Sequence, residues 1–79
     1  MKQEKTLGEK RVRTSFNPGD LDYIDQIKNE AAKLIDIINQ AAANPKWDDE
    51  TTKEWLRFKA LSMTAFEEGA MWGVKAATI

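Results

Sequence analysis

The residues best equipped for chemistry lie in RVRTSFNPGD, residues 11–20, which carries Arg11, Arg13, Phe16 and Asn17 around the start of a Pro-Gly turn. Guanidinium groups grip phosphate through paired N–H donors and an aromatic face stacks on a base, so the combination suits a nucleotide. The same residues would also serve as a basic tail with one anchoring phenylalanine. Lys28 and Lys75 stand at helical positions where the stem lies along apolar neighbours and the ammonium reaches a pocket or solvent. For Lys28 the plainer alternative is a boundary lysine. Lys75 falls in a narrow polar band of an otherwise apolar helix, so its charge calls for a partner, either Glu68 or an anion. Glu68 lies about two turns away on the same face, beyond an i, i+4 pair, so a contact would have to come from another subunit.

Other chemistry is poorly supplied. The chain has no Cys and no His, which removes the thiol nucleophile, the commonest general base and the usual structural-metal ligands. Thr14, Ser15, Ser62 and Thr64 have no histidine to activate them and no Gly-x-Ser-x-Gly elbow. The acidic groups Asp20, Asp22, Asp25 and Asp48, Asp49, Glu50 sit at expected helix starts, where capping and the helix dipole account for them without a metal. No cofactor or metal is called for.

These side chains need a scaffold, and 79 residues make one small domain with little apolar surface to bury. Such chains usually add disulfides, a metal or further subunits, and only the last is open to this one. The net charge is -1, which disfavours a protein that tracks along DNA or RNA polymers. The charge is uneven: residues 1–19 hold five basic against two acidic side chains, a small basic patch. No run is apolar enough to span a bilayer and no signal-peptide h-region opens the chain. A cytosolic protein without membrane contact is the expectation.

Four segments follow. Residues 1–10 read as a mobile tail and 11–19 as an arm and turn, extended or short-helical; RVRTSF alternates as a strand lying along a partner would. Asp20 is a candidate N-cap for helix one, residues 20–43, whose Ile24, Ile27, Ala31, Leu34, Ile35, Ile38 and Ala42 form an apolar stripe about 100° wide. Lys28 falls at one margin of that stripe and Tyr23 at the other. Asn44 and Pro45 end it, and Asp48 or Asp49 caps helix two, residues 49–78. The short connection predicts an all-α antiparallel hairpin. Helix two is apolar over more than half its circumference, from Trp55 and Phe58 through Phe66 to Trp72 and Val74. One partner helix cannot cover so much, so the hairpins are expected to assemble as a homo-oligomer, with Gly69 and Gly73 allowing close helix approach.

RVRTSFNPG, then DQIKNEAAKLIDII, then ALSMTAFEEGAMWGVKAAT resemble the small phage anti-CBASS sponges, which bind the cyclic oligonucleotide signals of a bacterial immune system. The likeness covers residues 9–79. It implies an all-helical homohexamer, working in the cytoplasm of the infected host, that sequesters cyclic dinucleotides and, at a second kind of site, cyclic trinucleotides. It implies binding without cleavage. The dinucleotide roles fall on Arg11, Arg13 or Phe16 of the arm, with Asn17 of its FNP turn, and on Lys28 of helix one. The trinucleotide role falls on Lys75, with Glu68 beside it. This chain lacks the arm tyrosine of other members, which leaves open whether Arg13 or Phe16 faces the base. Lysine at 75 cannot hold a phosphate bidentately as arginine does.

A cyclic dinucleotide carries two phosphates related by a near two-fold axis, so a symmetric protomer pair can offer each the same lysine and the same arm. The arm then acts as a lid with NPG as its hinge. The competing classes are an oligomeric helical module that docks another protein, and a phosphodiesterase, which the missing His and Cys disfavour.

Overall fold

The computed structural model describes residues 4–17, 19 and 21–79 and contains three helices: α1, Leu7–Val12; α2, Asp22–Gln40; and α3, Asp49–Ala77. α2 and α3 form the antiparallel hairpin. Tyr23 at the start of α2 donates from its hydroxyl to the carbonyl of Ala77 at the end of α3, 3.1 Å. At the other end, Lys59 Nζ of α3 donates to the carbonyls of Asn39 and Ala41, 2.9 and 3.0 Å. α2 has no basic residue of its own in its last turn, so Lys59 supplies the positive charge that the carbonyl end of a helix favours. Gly73 lets α3 approach α2: a Cβ there would meet the Ile27 side chain at 3.3 Å.

The tail departs from expectation. Residues 7–10, read as part of a mobile tail, are helical, and with the start of the arm, read as extended or short-helical, they make the helix α1. A six-residue helix is too short to hold in water alone, and two features support this one. Thr6 and Glu9 form a capping box, Thr6 Oγ1 accepting from the Glu9 N–H and Glu9 Oε1 accepting from the Thr6 N–H. Gly8 then seats α1 on α2, its N–H donating to Asp36 Oδ1 at 2.8 Å. The approach is so close that a Cβ on Gly8 would fall 2.1 Å from the Ala32 carbonyl oxygen.

With α1 in place the core differs from the stripe read from α2 alone. Val12 of α1, Ala31, Ala32 and Ile35 of α2 and Ala70 of α3 are buried together, with Ile27 and Met63 packed against them. Lys28, placed at a margin, instead lies on the buried face between Ile24 and Ala32, because Arg13 and Phe16 of the arm pack over it; it is 5% exposed. Leu34 is left exposed.

The helix ends also shift. α2 stops at Gln40, where Ala41 turns extended, three residues before the expected limit. Asn44 serves the turn ahead of α3 instead of ending α2: its Oδ1 accepts from the Lys46 N–H, 2.9 Å, and its carbonyl from the Trp47 N–H, 3.1 Å. Asp48 caps α3 through the Thr51 N–H at 2.7 Å. The N-cap position of α2 falls on Leu21, without a side-chain cap bond, while Asp20 lies outside the described residues, as does Pro18 of the expected hinge.

The chain measures 48 × 35 × 12 Å, little more than one helix thick in its narrowest direction. Ala70 is the one buried residue of α3, whereas Leu56, Phe58, Leu61, Phe66, Met71 and Trp72 are exposed. A Cβ on Gly69 would touch nothing within 4 Å, so the hairpin itself gives no packing reason for that glycine.

Gly8→Ala should detach α1, because the atom it strikes is backbone and cannot swing aside; overpacking of this kind costs about 1–3 kcal/mol. Hydrogen exchange at the Gly8 and Val12 amides should accelerate while the α2–α3 pairing stays protected. Unchanged protection at both amides would contradict the close seating.

Candidate functional site

α1 ends by a left-handed turn at Arg13, φ 58° and ψ 56°. A residue with a Cβ adopts that conformation at a cost of roughly 1–2 kcal/mol, so other contacts must hold it. The Thr14 N–H bonds back to the Glu9 carbonyl at 3.2 Å, closing the helix end. The turn brings the Arg13 carbonyl toward α2, where it accepts from the Phe16 N–H, 2.9 Å, and from Lys28 Nζ, 3.0 Å. Lys28 Nζ also donates to the Phe16 carbonyl. One buried ammonium thus gathers two carbonyls of the arm.

The side chains gather at the same place. The Arg13 guanidinium lies 4.6 Å from the centre of the Phe16 ring and Lys28 Nζ 5.3 Å from it, both within cation–π range. Phe16 is 52% exposed, an aromatic residue with two cations against its ring. Arg11 ties the arm to α3, its Nε donating to Glu67 Oε1 at 2.5 Å and its Nη2 to Thr64 Oγ1 at 3.2 Å.

Between the arm and the hairpin lies a cavity of about 510 Å³, within the usual range for small-molecule sites. The arm contributes Arg11, Val12, Arg13 and Phe16, and α2 contributes Lys28. α3 contributes Thr64, Glu67, Glu68, Ala70, Met71 and Val74. Cations, a hydroxyl and an aromatic face over an apolar floor can hold an anion attached to a flat ring.

Arg11, Arg13, Phe16 and Lys28 therefore converge. Asn17 does not join them. Its amide sets the entry to α2, Nδ2 donating to the Leu21 carbonyl, 3.0 Å, and to Asp25 Oδ1, 2.9 Å, while Oδ1 accepts from the Leu21 N–H. Glu68 lines the cavity but Lys75 does not. The two meet around Trp72 instead, Glu68 Oε1 accepting from the indole N–H at 3.4 Å and Lys75 Nζ lying 5.2 Å from the ring centre. The reading from sequence missed Glu67 and gave Thr64 no part in the site. Their signal was periodic: Thr64, Glu67, Met71 and Val74 recur at steps of three and four, on one face of α3.

Burial pushes the Lys28 ammonium below its ordinary value, the neighbouring Arg13 charge lowers it further, and Asp25 opposes both. A lysine lowered in the fold releases its proton at a pH where the unfolded chain still holds one. Stability from this source therefore rises with pH between the lowered value and the ordinary 10.5, and is least below that interval. In urea melts, the stability difference between native protein and Lys28→Met should grow in favour of the native chain toward about pH 10. A pH-independent difference would mean that the buried charge carries no penalty.

The sequence profile of the family described as Acb2/Tad1, hairpin domain, matches residues 8–78. No curated protein and no solved structure matches the chain.

Proposed function

The chain belongs to the Acb2/Tad1 hairpin family, the anti-CBASS sponges that hold cyclic oligonucleotides without cleaving them, and from that we propose that this protein sequesters cyclic dinucleotides in the cavity beneath its arm. The observation that carries the reading is the convergence of Arg11, Arg13, Lys28 and the exposed Phe16 ring on one cavity. Phosphate oxygens take donors from Lys28 and the arginines, and Phe16 supplies the stacking face for a base.

Lys28 meets the ligand while already holding the Arg13 and Phe16 carbonyls, so binding and arm position are coupled through one ammonium. Paired protomers, each offering the same arm and lysine, match a ligand with two equivalent phosphates. The exposed apolar residues of α3 and the unfilled space at Gly69 supply the surface for assembly, which the reading takes as a hexamer. The reading assigns a cyclic trinucleotide to a second site at Lys75 and Glu68, which meet around Trp72. The protein works in the cytoplasm of the infected bacterial host, starving an immune effector of its activator.

Incubation with 3′,3′-cyclic GMP–AMP, removal of free ligand, denaturation and chromatography should return the nucleotide intact. Linear products would make the protein an enzyme, and no retained nucleotide would favour a protein-docking module. Phe16→Ala should weaken binding by about 1–3 kcal/mol, the range for loss of one base–aromatic stack, in calorimetry. For assembly, Leu61→Glu should lower the mass measured by light scattering; an unchanged mass would remove this face from the subunit contacts.

A further inference from the structure

We infer that the outer side of the arm carries a second anion site, built by Lys5, Lys10 and Arg13, which takes a phosphate, free or as the end of a mononucleotide. Through Arg13, a phosphate bound there opposes binding in the main cavity. The site stands on its own observations; only its effect on the main cavity rests on the nucleotide reading.

A second cavity, of about 420 Å³, lies against the arm. Glu9, Lys10 and Arg13 line it from α1 and its C-cap, the turn that follows adds Thr14, Ser15 and Phe16, and Lys5 enters from ahead of the helix. Arg13 and Phe16 line both cavities and so form a shared wall. Lys5 also precedes residues 8–78, the segment that matches the family profile. This site therefore draws on a residue that the match does not include.

Three cations stand here against one carboxylate, a more positive balance than in the main cavity, where three face two. Among the described residues none of Lys5, Lys10 and Arg13 is ion-paired, and Glu9 Oε1 is already taken by the Thr6 N–H. The helix dipole accounts for Lys10, in the last turn of α1, but not for Lys5, which precedes the positive end where a cation is unfavourable. Lys5 Nζ instead reaches beyond the other end of the helix and donates to Ser15 Oγ. A hydroxyl orients an ammonium without neutralising it, and Ser15, having accepted from Lys5, keeps its own proton to donate. Thr14 brings a second hydroxyl to the same cavity. Ammonium, guanidinium and O–H donors gathered without a paired carboxylate are what a phosphate requires. A phosphomonoester, at about -1.5 to -2 near neutral pH, matches the excess charge.

The shared wall sets the sign of the coupling. The Arg13 guanidinium lies 4.6 Å from the centre of the Phe16 ring, and one guanidinium cannot give the same donors to anions in both cavities. A phosphate in the outer site draws on Arg13 and places a second negative charge beside the first. Each anion therefore weakens the other, and by the same factor.

The site is tested by adding orthophosphate to native protein and following amide shifts by NMR. The Thr14 and Ser15 amides should shift saturably, beyond the effect of potassium chloride at equal ionic strength. Lys5→Gln/Lys10→Gln, which alters no residue of the main cavity, should need about fivefold more phosphate for the same shift. A parallel titration with adenosine 5′-monophosphate names the source. A response to orthophosphate assigns the free ion, a response to the nucleotide alone assigns a mononucleotide, and a response to neither overturns the site. An unchanged titration in a double variant with native circular dichroism overturns it as well. Should the double variant not fold, Lys5→Gln alone decides, since it should still weaken the response about twofold and an unchanged response overturns the site. For the coupling, calorimetry should find 3′,3′-cyclic GMP–AMP bound about threefold more weakly in phosphate than in chloride of equal ionic strength. The double variant should lose that difference. Equal affinity in both salts, or a difference that persists in the double variant, overturns the coupling. If native protein retains no cyclic GMP–AMP in chloride, the nucleotide reading falls, while the amide shifts still decide the outer site.

Discussion

A single buried ammonium organises the working half of this molecule. Lys28 Nζ draws the carbonyls of Arg13 and Phe16 onto α2, and those bonds hold Arg13 in a left-handed conformation that a side chain resists. Because Arg13 is held so, α1 stops and the chain doubles back to bring Phe16 over the cavity. A lysine in this place is costly to bury, and burial is the largest cause of its lowered proton affinity. The charge is tolerated because carbonyl oxygens satisfy it without neutralising it, so the cavity keeps its positive potential.

The second constraint is thickness. A layer 12 Å deep cannot cover both sides of its own helices. α3 spends one face on α2, through Gly73, Ala70 and Met63, and turns Phe58, Leu61 and Trp72 to solvent. The two glycines of α3 therefore answer to different demands: Gly73 is explained inside the hairpin by Ile27, whereas Gly69 meets nothing there.

The hairpin was legible in the sequence because its signals are local and periodic: the stripe of α2, the Asn44–Pro45 break, the Asp48 cap and the over-wide apolar surface of α3. The arm was less so. Leu7–Val12 is too short to show a period, and a helix of that length exists only through packing, although Thr6-x-x-Glu9 is a capping-box pattern that marks its start. The position of Lys28 was misjudged for a related reason, since a wheel drawn for α2 alone cannot know that Arg13 and Phe16 of the arm fold over its flank. Arg11, Arg13, Phe16 and Lys28 were readable as chemistry by residue type, and they converge on the cavity. Asn17 was readable only as a turn residue, and the turn at the entry to α2 is where its bonds go.

Each cation of the cavity already has a partner within the chain. Arg11 has Glu67 and Thr64, Lys28 has two carbonyls, and Arg13 has the Phe16 ring. An arriving anion therefore exchanges one set of contacts for another instead of meeting bare charge, and each exchange yields only a small net gain. A ligand that makes one exchange gains little, while one that makes several at fixed spacing adds them without repeating the cost of immobilisation. The geometry of a ring with two phosphates meets that condition better than a single phosphate can. On the proposed function, pre-engaged donors in a pre-seated arm would be the physical basis of selectivity, and the arm depends on the seat that Gly8 gives to α1 on α2.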